Sequence, residues 1–582
     1  MEDEQLGEKY LVCTALEESF PSKGQIYYLG EWCRLFSKDN LPEINEANSF
    51  DYHWNDNVKF NKDFEYLSSF YERVLEDLSS FLNHYHNVNK PIMYWRIIIG
   101  YWLGYAIQVL FDRYENLKNL KDLNFTSIFL DEEETYIVPT NTENFAKLVT
   151  EDRWNSNLYY LILNNIEHNL KIKLLNKKKF NFDNTKIKSF KTLLLKKYQL
   201  ITKYFNNSKS PLIITSYLSK TDEFLINLKF GCLPYFSNPF DESVFDPNMN
   251  VRKFKLNYKC ENEFEKLTVH LLPKLIPTSF IEGYDSLSSN INNFSWPSNP
   301  KFIYTSNSFF FDEKFKLYCA NKKIQGTKLF IGQHGGNLGI AKKSFTENHQ
   351  LSISDYFFSW GWTSKKYENK IIKLGVLTKV KAIKRKPSKI LIVTTALPRY
   401  SYHLYSSSKS SQYLSYTNDQ FNFIKSLKKS LKNEIIIRLI KKDYGWEQYS
   451  RYRNEFQDLK IDNGEENITK LFSIAKLYIG TYNATSFLEA IFLDIPTVIY
   501  WDVNQWEIRD DAKVYFENLK KVKVFHDNPF SAAKHVNEIY DKVDEWWNSN
   551  DVVKEVSIFK ARFCDFRTNV VQEMKDSINK LL

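Results

Sequence analysis

The sequence predicts an α/β protein built on parallel sheets, and three observations support this fold class. The chain has 582 residues, which is too long for a single hydrophobic core. Short apolar runs alternate with helical segments, as in a parallel sheet covered by helices. A basic stretch with a proline, residues 379–389, separates two such regions. We therefore expect two Rossmann-like domains facing across a cleft, an N-terminal domain over 1–378 and a C-terminal domain over 390–582.

Composition and charge exclude several classes of protein. The formal net charge of +9 is mild for this length, and no nucleic-acid-binding motif stands out, so we expect no nucleic-acid partner. The six cysteines lie far apart, which predicts reduced thiols in the cytoplasm. The acidic first ten residues lack the basic and apolar regions of a signal peptide. The longest apolar run, Ile97–Phe111, contains Gly100, Gly104 and Gln108 and predicts a buried helix rather than a membrane span.

The N-terminal region alternates strand-like and helix-like segments. The predicted strands are Tyr10–Leu16, Ile26–Leu29, Tyr136–Pro139, Pro211–Ser216, Leu225–Leu233, Lys301–Ser306, Leu329–Ile331 and Asp355–Ser359. The predicted helices are Phe64–His86, Pro91–Arg113, Phe264–Leu272, Ile281–Ser289 and Phe315–Asn321. Lysines interleaved with apolar residues over Asn165–Phe205 are typical of a solvated helix face, and the alternative is a basic surface at anionic lipid.

A polar group follows the second predicted strand. Glu31, Trp32 and Arg34 place a carboxylate, an indole and a guanidinium just beyond the strand end, where they suit a polar ligand. We predict that Trp32 and Arg34 bind the acceptor substrate and that Glu31 is a catalytic candidate. The alternative is a loop held in place by a buried Trp32.

The most distinctive stretch is a glycine-rich loop after the strand Leu329–Ile331. Gln333 and His334 stand among four glycines within eight residues, in a chain that has only 17 glycines. Glycines let a ligand approach the backbone closely, and a strand that runs into such a turn suits anions. We predict an active-site loop in which Gln333 and His334 are catalytic. Gly335, Gly336 and Asn337 are predicted to bind the donor, and the alternative is a tight turn with a packed histidine.

The C-terminal region repeats the alternation of strands and helices. Its predicted strands are Ile390–Thr394, Glu434–Leu439, Lys476–Gly480 and Pro496–Tyr500. Its predicted helices are Asp419–Lys432, Ile468–Ile474 and Thr485–Leu493. Ligands of open α/β sheets bind beyond the carboxyl ends of the strands. The predicted donor-binding residues beyond three of these strand ends are Arg399, His403, Arg438, Lys441, Asn483, Thr485, Ser486 and Glu489.

These residues suit a phosphate-bearing ligand. Hydroxyl and amide groups at a helix N-terminus, together with the helix dipole, hold phosphate. Arginine and lysine neutralise a phosphate leaving group. Glu489, one turn into its helix, can accept hydrogen bonds from ribose hydroxyls. The alternative is that Ser486 and Glu489 form a capping box, which has the same spacing.

Two Rossmann-like domains, a basic linker and a phosphate site in the second domain describe the GT-B architecture of many glycosyltransferases. In that architecture the donor occupies the C-terminal domain and the acceptor the N-terminal one. The chain contains no Asp-x-Asp, the usual metal ligand of the other large glycosyltransferase fold. We therefore expect no metal and no cofactor, and leaving-group charge stabilised by basic side chains and helix ends.

Several long motifs also resemble a bacterial family of surface-polysaccharide transferases from O-antigen loci. They are CTALEESF, YLGEWCRLF, YWRIIIGYWL, KFIYTSNSFFFDEKFKLYCA, GQHGGNLGIAKKS, TTALPRYSYHLYSS, TYNATSFLEAIFLDIPTVIYWD and DEWWNS. The run Gln333–Gly335 and the C-terminal region are more distantly similar to Kdo transferases and teichoic-acid glycerophosphotransferases. That similarity implies a donor activated by CMP or CDP.

The function we expect is a glycosyltransferase that uses a nucleotide-sugar donor and a glycan or lipid-linked acceptor. The expected location is the cytoplasm, with possible peripheral contact at the inner membrane. One alternative is a glycerophosphotransferase or a nucleotide-sugar 2-epimerase on the same fold. The other is a non-catalytic scaffold, which the polar strand ends argue against.

Overall fold

The computed structural model describes residues 7–38, 47–176, 198, 202, 204–235, 245–293, 295–377, 383–402, 404–567 and 569–582. The described strands form three parallel sheets, which we call the first, second and third sheets. The first contains β1 (Lys9–Val12), β2 (Gln25–Tyr28), β3 (Asn48–Ser49), β4 (Thr126–Leu130) and β5 (Lys171–Leu175). The second contains β6 (Leu212–Ile214), β7 (Phe302–Thr305), β8 (Lys328–Gly332), β9 (Tyr356–Ser359) and β10 (Ile371–Lys373). The third contains β11 (Lys389–Val393), β12 (Ile435–Arg438), β13 (Lys460–Asp462), β14 (Ala475–Gly480), β15 (Thr497–Tyr500) and β16 (Phe525–His526).

The α-helices cover these sheets and fill the space between them. Those before the third sheet are α1 (Asn57–Tyr85), α2 (Ile92–Lys118), α3 (Thr142–Leu148), α4 (Asp152–Leu163), α5 (Lys220–Lys229), α6 (Glu263–Leu275), α7 (Tyr284–Ser289), α8 (Ser308–Phe311), α9 (Glu313–Ile324) and α10 (Phe345–Ile353). The later ones are α11 (Gln412–Ser426), α12 (Lys429–Lys432), α13 (Gln448–Glu455), α14 (Ile468–Ile474), α15 (Thr485–Phe492), α16 (Asp510–Lys521), α17 (Pro529–Ile539), α18 (Val543–Trp547), α19 (Asn550–Phe563) and α20 (Val570–Leu581).

The strand orders confirm the expected parallel α/β fold. The first sheet runs β3-β2-β1-β4-β5 and the third β13-β12-β11-β14-β15-β16, so each reverses direction beside its first strand. That reversal is the switch point of a doubly wound, Rossmann-like sheet. The second sheet instead keeps its strands in chain order, β6 to β10. Residues 1–378, expected as one N-terminal domain, therefore contain two sheets.

Helix α2 lies at the centre of the N-terminal region. It packs against α1, α4, α6, α9 and α10, and nearly all its residues are buried. Gly104 permits this packing, because a Cβ there would lie 1.8 Å from the Phe345 ring. The prediction of a buried helix over Ile97–Phe111 is thus confirmed. None of the helices in the described ranges is both long and apolar enough to cross a membrane.

Two predicted strands are wrong. Tyr136–Pro139 overlaps a 3₁₀ turn, Glu134–Ile137, in which Ile137 is buried and its carbonyl accepts from the Trp154 indole. Leu225–Leu233 overlaps helix α5, which begins where the Ser219 hydroxyl accepts a hydrogen bond from the Asp222 backbone N–H, and in which Leu225 and Leu228 are exposed. A short apolar run does not distinguish a strand from a helical turn.

Near its C-terminal end, the chain passes from the third-sheet region back to the second sheet. Helix α20 packs its apolar face, including Met574 and Ile578, against Phe302 and Phe330 of the second sheet. The last helix of the predicted C-terminal domain therefore belongs to the core of the preceding region. Residues 379–382 of the predicted linker lie outside the described residues. Beyond them, the Lys386 N–H donates to the carbonyl of Ser473 in helix α14, which precedes β14.

Candidate functional site

A pocket of about 400 Å³ lies where the carboxyl ends of the second sheet meet the start of helix α15. Its lining residues are Tyr217, His334, Trp360, Val376, Thr485, Leu488, Glu489, Cys564 and Phe566. Four of them, Tyr217, His334, Trp360 and Val376, lie within three residues of the end of a strand of the second sheet, and three belong to α15 beside the third sheet. We call this the glycine-loop pocket. Parallel strands put their carboxyl ends at one edge, which explains why residues distant in sequence meet here.

Gln333 anchors the glycine loop. Its amide nitrogen donates to the carbonyls of Gly335 (2.8 Å) and Leu338 (3.3 Å). Its amide oxygen accepts from the Trp360 backbone N–H (2.9 Å) and the Trp362 indole (2.7 Å). These four bonds occupy the whole amide. The predicted catalytic role of Gln333 is therefore corrected to a positioning role.

Gly336 brings the loop against helix α15. Its N–H donates to the Thr485 hydroxyl (3.1 Å). A Cβ at Gly336 would lie 2.7 Å from Leu488 Cδ1 and 2.8 Å from the Ala484 carbonyl oxygen, so only glycine fits. Asn337 closes the turn through its carbonyl, which accepts from the Ile340 N–H at 3.1 Å. The glycine content thus allows the two halves to touch at the pocket.

His334 faces the pocket with an unused ring nitrogen. Its Nδ1 is buried and has no hydrogen-bond partner among the described residues. Burial lowers the pKa of His334 to about 4, although a backbone hydrogen bond with Ser306 opposes the shift. The imidazole is therefore neutral at pH 7. The Tyr217 ring lies 5.7 Å from the His334 ring, between centroids.

The backbone before Tyr217 is strained. Thr215 and Tyr217 both have positive φ, 50° and 61°, where non-glycine residues are uncommon. The Thr215 hydroxyl is hydrogen-bonded to the Ser308 hydroxyl (2.7 Å), which fixes the turn. Such strain concentrates at functional sites. Here it projects Tyr217 into the pocket.

Helix α15 begins without a side-chain cap. Its N-cap is Ala484, and no side chain caps its first turn. Ser486 is not a capping residue, because its hydroxyl accepts from Tyr478 (2.8 Å). The capping-box alternative for Ser486 and Glu489 is therefore excluded. Asn483, only 2% exposed, has no hydrogen-bond partner for either side-chain polar atom among the described residues.

Glu489 is the carboxylate of the pocket. It makes no side-chain hydrogen bond or ion pair with any described residue, and burial raises its pKa to about 6. Such a carboxyl group is partly protonated near neutral pH and suited to proton transfer. Burial also raises the pKa of the neighbouring Cys564 thiol to about 12, so this thiol is a poor nucleophile.

Arg438 and Lys441, two predicted donor-binding residues, do not line this pocket. Arg438 donates to Asp462 (2.5 Å) and to the Glu466 carbonyl, and exposed Lys441 pairs with Glu465 at 3.1 Å. Both basic groups have acidic partners in the structure, and their role as phosphate ligands stays a prediction. His403 lies outside the described residues.

Arg399 joins the two halves of the molecule instead of lining the glycine-loop pocket. It is buried, donates to the Arg34 carbonyl (3.3 Å) and packs over the Trp446 ring. Its Nε has no partner among the described residues. A direct donor contact by Arg399 stays a prediction.

The residues near β2 that were predicted to bind the acceptor also make contacts within the protein. Trp32 is 1% exposed and its indole donates to the Cys13 carbonyl (3.1 Å), so the alternative of a buried, loop-holding tryptophan is correct. Glu31 and Arg34 form an ion pair at 3.1 Å. Glu31 lines a different cavity, between the first and third sheets. This places Glu31 away from His334, and its predicted catalytic role loses support.

Sequence reasoning missed Tyr217 and Trp360. Each follows a predicted strand of the second sheet, but neither has a motif around it. Only the rule that ligands bind beyond the carboxyl ends of parallel strands could have identified them. Within the described ranges, no group of three or more His, Cys, Asp or Glu side chains is arranged to hold a metal ion. The pocket thus offers a neutral imidazole, a carboxyl group with a raised pKa and an uncapped helix start.

The model of the LIC12162 family transferase matches residues 9–578. No curated protein matches the chain. Similar solved structures include MurG of Acinetobacter baumannii, with 10% identity, coverage of 64% of this chain and 100% of that chain, and a TM-score of 0.31.

Two further structures show similar levels of likeness. One is described as trehalose-6-phosphate from E. coli bound with UDP-2-fluoro glucose, with 9% identity, coverage of 53% and 79%, and a TM-score of 0.30. The other is WaaG, a glycosyltransferase involved in lipopolysaccharide biosynthesis, with 10% identity, coverage of 51% and 95%, and a TM-score of 0.24. These TM-scores are too low to support an argument from any of the three.

Proposed function

Because the chain belongs to the LIC12162 family of transferases, we propose that it is a glycosyltransferase of the GT-B type. It moves a sugar from a nucleotide-activated donor to a cell-surface polysaccharide or a lipid-linked acceptor. The observation that carries this proposal is the glycine-loop pocket. There, His334 and Glu489 have unused polar atoms beside a helix start that no side chain caps.

The start of α15 is the proposed site of the donor phosphate. Unbonded N–H groups and the positive end of the helix dipole favour an anion there. Asn483 supplies a further donor, since its buried amide lacks a partner among the described residues. Ser486 is proposed to act through the backbone N–H groups of this turn. This arrangement stabilises a leaving phosphate without a metal.

His334 and Glu489 have different proposed roles. The neutral His334 contacts the leaving phosphate or a donor hydroxyl from the side of the second sheet. Glu489 has a pKa of about 6 and is better matched to general-base catalysis near pH 7. It accepts the proton of the acceptor hydroxyl as that oxygen bonds to the anomeric carbon and the bond to the nucleotide phosphate breaks.

The proposed substrates follow from the resemblance noted in the sequence. The donor is a CMP- or CDP-activated sugar, and the acceptor is a glycan or a lipid-linked glycan. Peripheral contact with the inner membrane would bring the enzyme to a lipid-linked acceptor. Most of the basic stretch considered for that contact, Asn165–Phe205, lies outside the described residues.

A thermal-shift panel tests the donor site. CMP, CDP, UDP and GDP are compared on the wild type, on His334→Ala and Glu489→Gln, and on the matched surface variant Lys513→Ala. A ligand at a hundredfold excess over its Kd adds about 2.7 kcal/mol of stability. We expect one nucleotide class to raise Tm in the wild type, in Lys513→Ala and in Glu489→Gln, because Glu489 is proposed to contact the acceptor, and to raise it less in His334→Ala.

The outcomes separate the alternatives. A response to cytidine nucleotides supports the proposed donor, and a response to UDP or GDP points to ordinary hexose transfer. Conversion of the nucleotide-sugar without an acceptor would reveal an epimerase. The absence of any nucleotide response contradicts the glycosyltransferase proposal and favours a scaffold.

A further inference from the structure

The segment that follows β15 runs along the C-terminal end of the glycine loop. Ala341 and Ile508 form an isolated antiparallel bridge. Beside it, the Arg509 backbone N–H donates to the Ile340 carbonyl (2.9 Å). A segment of the third-sheet region therefore holds the loop that carries His334, at a place that does not line the glycine-loop pocket.

The Arg509 side chain reaches the loop by two routes, and the first passes through Glu347. The Arg509 Nε and Nη2 donate to the Ala341 carbonyl (3.2 and 3.1 Å), and Nη2 also donates to Glu347 Oε1 (2.6 Å). The other carboxylate oxygen of Glu347 accepts from the Gly339 N–H (2.8 Å). Glu347 is buried and the Arg509 side chain is only 18% exposed. Hydrogen bonds to ionised groups are stronger than those between neutral groups, so this pair fixes the second half of the loop.

The second route passes through Trp362. The Arg509 guanidinium carbon lies 5.3 Å from the centroid of the Trp362 ring. The Trp362 indole donates to Gln333 Oε1 (2.7 Å). Its ring packs on Gly339, where a Cβ would lie 2.4 Å from Trp362 Cγ. Because arginine stacks on aromatic faces while it pairs with a carboxylate, Arg509 supports residues on both sides of His334 in the chain.

We propose that Arg509 is a positioning residue that sets the glycine loop, and with it His334, against helix α15. The inference rests on the proposed function of the pocket, in which His334 contacts the donor. Arg509 does not line the pocket, so it acts through the loop. The loop meets α15 where the Gly336 N–H donates to the Thr485 hydroxyl (3.1 Å). Movement of the loop would therefore shift the imidazole relative to the phosphate site, and a misplacement of about 1 Å can cost about 10²-fold in rate.

Three variants test this role. Arg509→Met removes the charge and the hydrogen-bond donors. Arg509→Lys keeps the charge but loses the planar fork that serves the carbonyl, the carboxylate and the ring together. The matched control is Lys342→Met, which removes an ion pair with Glu507 (2.7 Å) between the same two segments and leaves the contacts of Arg509 in place.

Turnover is measured with the donor identified in the nucleotide panel. It should fall about 10- to 100-fold in Arg509→Met. Arg509→Lys should recover part of the loss, and Lys342→Met should stay within about twofold of wild type, because exposed ion pairs contribute little. Equal losses in Arg509→Met and Lys342→Met would reduce Arg509 to a general tie between the two regions, and would overturn the proposal.

A double-mutant cycle shows whether Arg509 acts through His334. Residues that act as one unit have non-additive effects. Adding Arg509→Met to His334→Ala should therefore lower turnover by no more than about twofold further. The same fold-loss in the His334→Ala and wild-type backgrounds would show that the arginine acts elsewhere, and this too would overturn the proposal.

Hydrogen exchange gives a readout that needs no activity. In wild type the Gly339 N–H is protected by its bond to Glu347. In Arg509→Met, peptides over residues 332–341 should exchange about 10-fold faster, with peptides of the buried helix α2 as the unchanged internal reference. The same loop peptides should exchange at the wild-type rate in Lys342→Met. Unchanged loop exchange in Arg509→Met would contradict the proposal even if turnover fell.

The two proposals can fail separately. If no nucleotide binds to wild type, the proposed glycosyl transfer fails, whereas loop exchange still decides whether Arg509 holds the glycine loop. If Arg509→Met does not fold, Arg509→Lys replaces it in the cycle and in the exchange measurement, with smaller effects in the same direction. Wild-type turnover and wild-type loop exchange in Arg509→Lys would then overturn the proposal.

Discussion

The ends of β12 and β14 lie at one edge of the third sheet, on either side of β11, yet they differ in what they can bind. The end of β12 carries Arg438 and Lys441, whose charges are paired with Asp462 and Glu465. Beyond β14, Asn483 has no partner among the described residues. The helix that follows has no side-chain cap. The end of β12 therefore carries the stronger charges, but these charges are already paired with carboxylates.

This difference shows that a basic side chain is available to bind an anion only when its charge is not already paired with a carboxylate. Strand β13 pairs with β12 in a register that sets Asp462 beside Arg438. Among the described residues, none plays the corresponding part for Asn483. The contrast leads to four predictions.

Replacing Glu489 by Gln should have the largest effect. With the donor identified in the nucleotide panel, turnover should fall about 10²-fold or more, because general-base catalysis contributes 10²–10⁴-fold. The measurement is steady-state turnover of Glu489→Gln against wild type, with circular dichroism as a check on folding. Turnover by the variant as fast as by wild type would show that Glu489 is not the general base. It would also weaken the contrast between the ends of β12 and β14.

Gly336→Ala should disturb the β14 end through sterics alone. The new Cβ would meet Leu488 Cδ1 at 2.7 Å and the Ala484 carbonyl at 2.8 Å, so the loop must move away from α15. Overpacking of this kind costs about 1–3 kcal/mol. We expect a lower Tm and weaker nucleotide binding. Gly335→Ala is the matched control, since its Cβ meets only Asn337 Oδ1, at 3.2 Å; equal effects of both would contradict the close-approach argument.

Arg438→Met should affect stability and leave nucleotide binding unchanged. It leaves Asp462 Oδ2 without its partner, whereas Oδ1 keeps its hydrogen bonds from the Glu465 and Glu466 N–H groups. The Asp462 side chain is 9% exposed, and an unsatisfied buried polar group costs about 1–3 kcal/mol. Chemical denaturation measures the loss, and Arg438→Met with Asp462→Asn should recover part of it. Lys441→Ala should change neither quantity, since exposed ion pairs contribute about 0–1 kcal/mol. Loss of nucleotide binding in Arg438→Met would return the phosphate site to β12.

The pH dependence of stability should show the smallest effect. Folding raises the pKa of Glu489 from 4.5 to about 6, so its favourable contribution is complete below pH 4.5 and is lost as pH rises through 6. The loss is about 1–2 kcal/mol at pH 7. Unfolding free energies of wild type and Glu489→Gln between pH 4 and 7.5 should converge at low pH, with the variant the more stable at pH 7. Parallel curves would argue against a buried, unpaired Glu489.

Much of the fold follows from local patterns. The buried strands β7, β8, β11, β12, β14 and β15 coincide with apolar runs, because strands buried on both faces are apolar throughout. Edge strands such as β13 (Lys460–Asp462), which is partly exposed, carry no such run and were not predicted. The 3₁₀ turn at Glu134–Ile137 was mistaken for a strand because burial, not secondary structure, made it apolar.

The candidate site could be predicted from the sequence less fully than the fold. His334, Thr485 and Glu489 were selected from motifs, and the structure brings all three to one pocket. Tyr217 was missed because its role depends on a strained turn, and strain has no sequence signature.

Hydrophobic runs and residues adjacent in the chain were enough to predict the parallel α/β class, the buried helix α2 and the glycine loop. The availability of the polar groups became known only from the folded structure. Arg438 is paired by a strand more than twenty residues later, and the Gln333 amide is occupied by two tryptophans. Electrostatic and hydrogen-bonding partners act over a few ångströms in space. The chain brings such partners together only when it folds.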